Sequence, residues 1–181
     1  MTRLLALCAL LLLPLLARAE TEGLSRLPPA TSALVLAGGG LTTAPDDIGP
    51  KKREKIASTL AGLIQLELEK AGLKVSAVIN TDPALSPEDH FRRQVRKQHD
   101  ALIQLFLDIQ SERRTVTAMN ITLHFYRLEP TELEGKQAVL VHGPEAATID
   151  FMRAVKPDGS PADLIYIAEK YVAGLKRQGL I

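Results

Sequence analysis

Two stretches, Ala101-Leu-Ile-Gln-Leu-Phe-Leu-Asp-Ile109 and Met119-Asn-Ile-Thr-Leu-His-Phe-Tyr-Arg-Leu128, decide how this 181-residue chain is read. The first is nearly continuous in apolar residues, the pattern of a strand covered on both faces, and predicts a place in the middle of a sheet. The second alternates. Met119, Ile121, Leu123 and Phe125 are directed one way and Asn120, Thr122, His124 and Tyr126 the other, so one face is buried and one is wetter. Ser111-Glu-Arg-Arg114 supplies a charged turn between them. Val116 and Ala118 have the opposite parity to Met119 through Phe125, which predicts a bulge near Ala118 or a buried start.

Working outward, Gln137-Ala-Val-Leu-Val-His142 is a further strand after a polar turn at residues 129–136, and the three strands predict an antiparallel meander. Upstream, Ser32-Ala-Leu-Val-Leu-Ala37 reads as a first buried strand closed by Gly38-Gly39-Gly40. From Pro50 to Ala71 the residues Ile56, Leu60, Leu63, Ile64 and Leu68 recur at helical spacing. Gly72 and Leu73 then match a C′ glycine with its hydrophobic C″ partner. Lys74 to Asn80 is a second strand, so residues 32–80 form a β-α-β crossover. Ser86-Pro-Glu-Asp89 has the grammar of a helix start, with Ser86 as N-cap and Pro87 at N1, and predicts a helix to about Lys97. Its cations Arg92, Arg93, Arg96 and Lys97 lie toward the C-terminal end, where they suit the macrodipole.

Residues 144–155 fit both periods. Ala147, Ile149 and Phe151 suit a strand, while Pro144, Ala147, Phe151 and Ala154 suit a helix, which is slightly preferred. Ser160-Pro-Ala-Asp163 repeats the helix-start grammar. Leu164, Ile167, Ala168, Tyr171, Val172 and Leu175 then make one apolar face ending at Gly179-Leu180. The fold class expected is α/β (α+β): a mixed sheet of about five strands in the order β-α-β-α-β-β-β-(α)-α, with helices packed on the sheet.

The N-terminus carries an address. Met1-Thr-Arg3 is a short positive segment, Leu4 to Leu16 is apolar apart from Pro14, and Ala17-Arg18-Ala19 offers a small-x-small cleavage pattern. Thirteen residues are short for a membrane span, which needs about 20. The expectation is a signal peptide over 1–19, a loose leader over 20–31 and a single domain over 32–181, in a periplasmic or secreted protein. Cys8 is the only cysteine. Leu7 precedes it where lipoprotein signals carry a small residue, and the apolar run continues past it, so lipid attachment is not expected.

Losing Arg3 and Arg18 with the leader leaves 20 basic against 21 acidic residues, a net charge of −1, which removes any bulk attraction to nucleic acid. The 162 residues that remain can bury roughly 70% of their unfolded surface without disulfides. Aromatic residues are 4% of the chain and tryptophan is absent, which disfavours a stacking platform for sugars or bases.

No high-specificity catalytic motif is present. The glycine triplet lies about ten residues from the next helix and lacks G-x-x-x-x-G-K-[ST], so it reads as a turn, with no phosphate loop or other cofactor site. No G-x-S-x-G nucleophile elbow occurs, and Glu132 and Glu134 sit in a polar turn where solvation is expected. Lys51-Lys-Arg-Glu-Lys55 stands out. Lys51, Lys52, Arg53 and Lys55 oppose the macrodipole at a helix N-terminus, by a few tenths of a kcal/mol each. They form either a solvated first turn, eased by Asp46, Asp47 and Glu54, or a contact for an acidic protein patch or anionic surface. Of the histidines, His90 and His99 have no constellation. His124 lies on the wetter face of its strand and His142 ends the next, so with Asp108 they either converge in a metal or acid–base site, if the register allows, or are surface or turn histidines, the reading favoured by the lack of any spacing such as H-x-x-x-H.

Ala101 to Ile109, then Thr122-Leu-His-Phe-Tyr-Arg-Leu128 and the continuation to Glu134-Gly-Lys-Gln137, resemble the small α/β domains of bacterial envelope accessory proteins. These are the activator lipoproteins of penicillin-binding proteins, the curli-secretion lipoprotein and the N-terminal domain of the Tol-system periplasmic protein. The resemblance implies an exported, non-catalytic envelope accessory protein acting through protein–protein interaction. The alternative is a metal- or ligand-dependent enzyme using His124, His142 and Asp108.

Overall fold

The computed structural model describes residues 27–38, 50–80, 82, 85–95, 99–112, 115–153 and 163–181. Residues 1–26, on which the expected signal peptide and most of the expected leader fall, and Gly39-Gly40, Asp46-Asp47, Arg96-Lys97 and Ser160 to Ala162 lie outside the described residues. The elements follow in the order β1 (Ser32–Gly38), α1 (Pro50–Lys70), β2 (Lys74–Asn80), α2 (Pro87–Gln94), β3 (Ala101–Glu112), β4 (Thr115–Leu133), β5 (Lys136–Arg153) and α3 (Leu164–Arg177). They build one five-stranded sheet, β2-β1-β3-β4-β5, an α/β fold with β3 at its centre as the apolar run predicts. β1 is parallel to β2 and to β3, whereas β3, β4 and β5 form the antiparallel meander.

Local rules set the helix ends. At the close of α1 the Leu73 N–H donates to Leu68 O at 3.1 Å and the Gly72 N–H to Glu69 O at 2.9 Å. Gly72 takes φ 93, so this is a Schellman cap that satisfies two orphan carbonyls. α3 ends the same way, with Leu180 N–H on Leu175 O and Gly179 N–H on Lys176 O. α2 starts as expected: the Ser86 hydroxyl oxygen accepts the Asp89 N–H at 3.1 Å. The N-cap of α3 is Asp163, which accepts the Tyr166 N–H at 3.3 Å, so the acidic residue of the Ser160–Asp163 motif begins that helix.

Two expectations are corrected. The helix preferred for 144–155 is replaced by strand over 144–153, because β5 runs to Arg153; 154 and 155 lie outside the described residues. Ile149, Asp150, Phe151 and Met152 pair with Leu123, Thr122, Ile121 and Asn120, and a ladder against an existing strand outcompetes an isolated short helix. The polar turn at 129–136 shrinks to two residues. Leu133 pairs with Lys136, leaving Glu134 at φ 52 and Gly135 at φ 73, the doubly left-handed turn whose twist matches a hairpin. The bulge near Ala118 is present. Gln110 faces Ala118 but Ser111 faces Val116, so Thr117 is the extra residue.

Burial is unequal on the two faces. One carries Ala33, Val35, Ile103, Leu105, Ile121, Leu123 and Phe125, all at most 1% exposed, under Leu60, Ile64 and Leu68 of α1 and Ile167, Tyr171 and Leu175 of α3. Each fully buried Leu, Ile or Phe contributes about 1.5–3 kcal/mol relative to exposure. On the other face the buried apolar residues among the described ones are Leu34, Leu36, Leu102 and Leu128, with Phe91 and Val95 at α2 packed against them. Beyond α2, Gln104 and Phe106 of β3 are half-buried where Leu102 is sealed, so cover on this face thins along the described part of the strand.

Polar ties hold the start of the sheet. One Asp100 carboxylate oxygen accepts the Thr31 N–H at 2.9 Å, the Thr31 hydroxyl at 2.5 Å and the Ser32 N–H at 3.1 Å. Ser32 Oγ accepts the Asp100 N–H at 3.0 Å in return. The entries to β1 and β3 are thereby locked together. The carbonyl of Leu180 accepts from Ala30 N–H at 2.9 Å and from Arg127 Nη1 at 3.2 Å, which docks the end of α3 against β4.

Candidate functional site

The half-covered face of β3 and β4 is where polar and aromatic side chains meet. Because cross-strand partners share a face, the pairs Gln104–His124 and Phe106–Thr122 put these four residues together, and Tyr126 follows His124 on the same side. Their rings form a row. Phe106 and His124 have centroids 5.1 Å apart, His124 and Tyr126 6.2 Å, and Tyr126 meets Phe91 of α2 edge-on at 5.7 Å. His124 Nδ1 lies 3.3 Å from the Tyr126 hydroxyl. Burial pushes the Tyr126 phenol above its ordinary value, so it stays protonated and keeps its hydrogen-bonding role across physiological pH. An apolar stripe edged by amide and hydroxyl groups suits an amphipathic partner.

The two histidines singled out from sequence are not brought together. His142 is the register partner of Arg127, whose neighbours Phe125 and Leu123 belong to the helix-covered core, and its Nε2 lies 2.9 Å from Glu129 Oε2. His124 shares the opposite face with Phe106 and Tyr126. Asp108 pairs with Asn120, four residues along each strand from the Gln104–His124 pair, and its side chain lies outside the described ones. Among the described residues no group of three His, Cys, Asp or Glu side chains is placed to hold a metal ion.

Of the basic candidates, Lys51 and Lys55 are exposed at the start of α1, and the side chains of Lys52 and Arg53 lie outside the described ones. The first turn of α1 contains no acidic residue. Lys51 and Lys55 are four apart, so they sit on one face of the helix next to its positive pole.

The ring row Phe91–Tyr126–His124–Phe106 was not foreseen from sequence. The alternation in β4 put His124 and Tyr126 on one side, but adding Phe106 needed the pairing of β3 with β4, which is a non-local fact. Among the described residues no helix is long and apolar enough to cross a membrane. Neither a protein-family model nor a curated protein matches this chain.

Proposed function

We propose that this chain is an exported cell-envelope accessory protein that works by binding another protein, without catalysis. The observation that carries the reading is the first turn of α1. Lys51, Lys52 and Arg53 stand in a first turn that has no acid, Glu54 and Lys55 follow, and Lys51 and Lys55 are exposed. Cations there are unfavourable to the helix, and a partner with an acidic patch would offset that cost. The leader pattern of residues 1–19 and the resemblance to envelope accessory domains support the compartment and the class. The alternative enzyme built on His124, His142 and Asp108 has no convergent geometry to support it.

The test is a pull-down from bacterial envelope extract with the wild-type chain and with Lys51, Lys52, Arg53 and Lys55 all changed to Glu. The account expects the partner to be lost while the circular dichroism spectrum is kept. Recovery of the same partner by the reversed protein rejects this surface.

A further inference from the structure

The outer edges of the sheet are built differently. β5 changes register against β4 between Leu123 and Phe125 and again between Phe125 and Arg127, and Gly143 within it has φ 118. Such bulges twist an edge away from strand addition. β2 has no such protection: it holds one register with β1 over all seven residues, contains no proline, and carries a single charge, Lys74, at its first position. The Lys74 N–H donates to Thr31 O at 3.0 Å on the β1 side. In a parallel ladder alternate residues bond to the same neighbour, so Lys74, Ser76, Val78 and Asn80 serve β1. Val75, Ala77 and Ile79 therefore direct their N–H and C=O groups outward, and among the described residues no strand pairs with that side.

We infer that this edge pairs with the β2 edge of a second copy of the chain, antiparallel and centred on Ala77. The sheet then runs continuously through both copies across a two-fold axis, the usual symmetry of a dimer. Charge selects the direction. An in-register parallel pairing sets Lys74 against Lys74, whereas the antiparallel one places Lys74 opposite Asn80 of the other copy, at the end that leads to Asp82. The residues with outward backbone groups match one another: Ala77 faces Ala77, and Val75 faces Ile79, each pair exchanging two hydrogen bonds. Ser76 falls opposite Val78 at a non-hydrogen-bonded pair. Half-buried Val75, Ala77, Val78 and Ile79 all gain cover.

Sedimentation of the chain expressed from its full sequence with Cys8→Ser tests the pairing, together with two variants. Ala77→Pro removes an outward N–H without taking a bond from the β1 ladder, and is expected to give a monomer with an unchanged circular dichroism spectrum. Ser76→Cys with Val78→Cys is expected to give a disulfide-linked dimer that reductant dissolves, while Ser76→Cys alone is not. Where Ala77→Pro fails to fold, the cysteine pair decides. A parent protein that stays monomeric through the micromolar range, a folded Ala77→Pro that stays dimeric, or a dimer that the cysteine pair does not cross-link overturns the inference.

Discussion

The face of the sheet under α1 and α3 and the face under α2 differ in depth of cover. Under the two long helices, strand residues from β1, β3 and β4 are sealed together with Leu60, Ile64 and Tyr171. Under the eight residues of α2, cover reaches Leu102 and its partner Tyr126, and Phe106 and His124 stay half-buried beyond it. The first face holds the larger share of the buried apolar side chains. The second is left free to display rings and polar groups, which is how a rigid scaffold carries a recognition surface.

Tyr171 probes the sealed face most severely. It is 0% exposed, and its hydroxyl has no hydrogen-bond partner among the described residues. Burial pushes its phenol far up, so it is never ionised in the folded protein. Tyr171→Ala is expected to cost about 3–5 kcal/mol in urea unfolding. Tyr171→Phe keeps the ring and removes the unpaired hydroxyl, so it is expected to be neutral or to stabilise by up to about 1 kcal/mol. A large loss from Tyr171→Phe would show that the hydroxyl is satisfied after all.

Asp100 gives a smaller, pH-dependent effect at the rim shared by the two faces. Desolvation raises its carboxyl, but the Thr31 hydroxyl and the Thr31 and Ser32 backbone and side-chain hydrogen bonds together outweigh it, holding it below the ordinary 3.8. The unfolded chain then binds this proton more readily than the folded one. The contribution is therefore complete above 3.8 and is lost as the pH falls through the lower folded value. Asp100→Ala is expected to cost roughly 1–2 kcal/mol at neutral pH, discounted for solvent contact. The gap between variant and wild type should close at the acid end of a stability–pH curve; a gap independent of pH would assign the loss to packing.

The smallest effect carries the opposite sign. Lys51→Glu replaces an exposed cation at the positive pole of α1, and is expected to stabilise by about 0.3–1 kcal/mol in low salt while weakening partner capture. A variant that gains stability and keeps full capture would separate the basic turn from binding.

How far the sequence anticipates this structure depends on how local each feature is. The caps at Gly72-Leu73, Ser86-Pro87 and Gly179-Leu180 follow from rules spanning a few residues, and the bounds of β2 match the apolar run. Residues 144–153 resist such reading because Ala147 and Phe151 satisfy both periods, and only pairing with β4 selects the strand. Polar residues 129–133 resemble a turn because their hairpin arm extends beyond the core, where Leu133 is 59% exposed. For the candidate site the limit is register. His124 and His142 are each legible as strand residues, but the pairing of His142 with Arg127 is what separates them across the sheet.

Leu105 and Phe106 are adjacent on the central strand and lie on opposite faces, with Leu105 1% exposed and Phe106 half-buried. Urea unfolding of Leu105→Ala and Phe106→Ala compares the faces within one peptide bond. The account predicts a loss of about 2–5 kcal/mol for Leu105→Ala and a clearly smaller one for Phe106→Ala, although phenylalanine is the larger side chain. A loss from Phe106→Ala equal to or greater than that from Leu105→Ala would contradict the division of labour between the two faces.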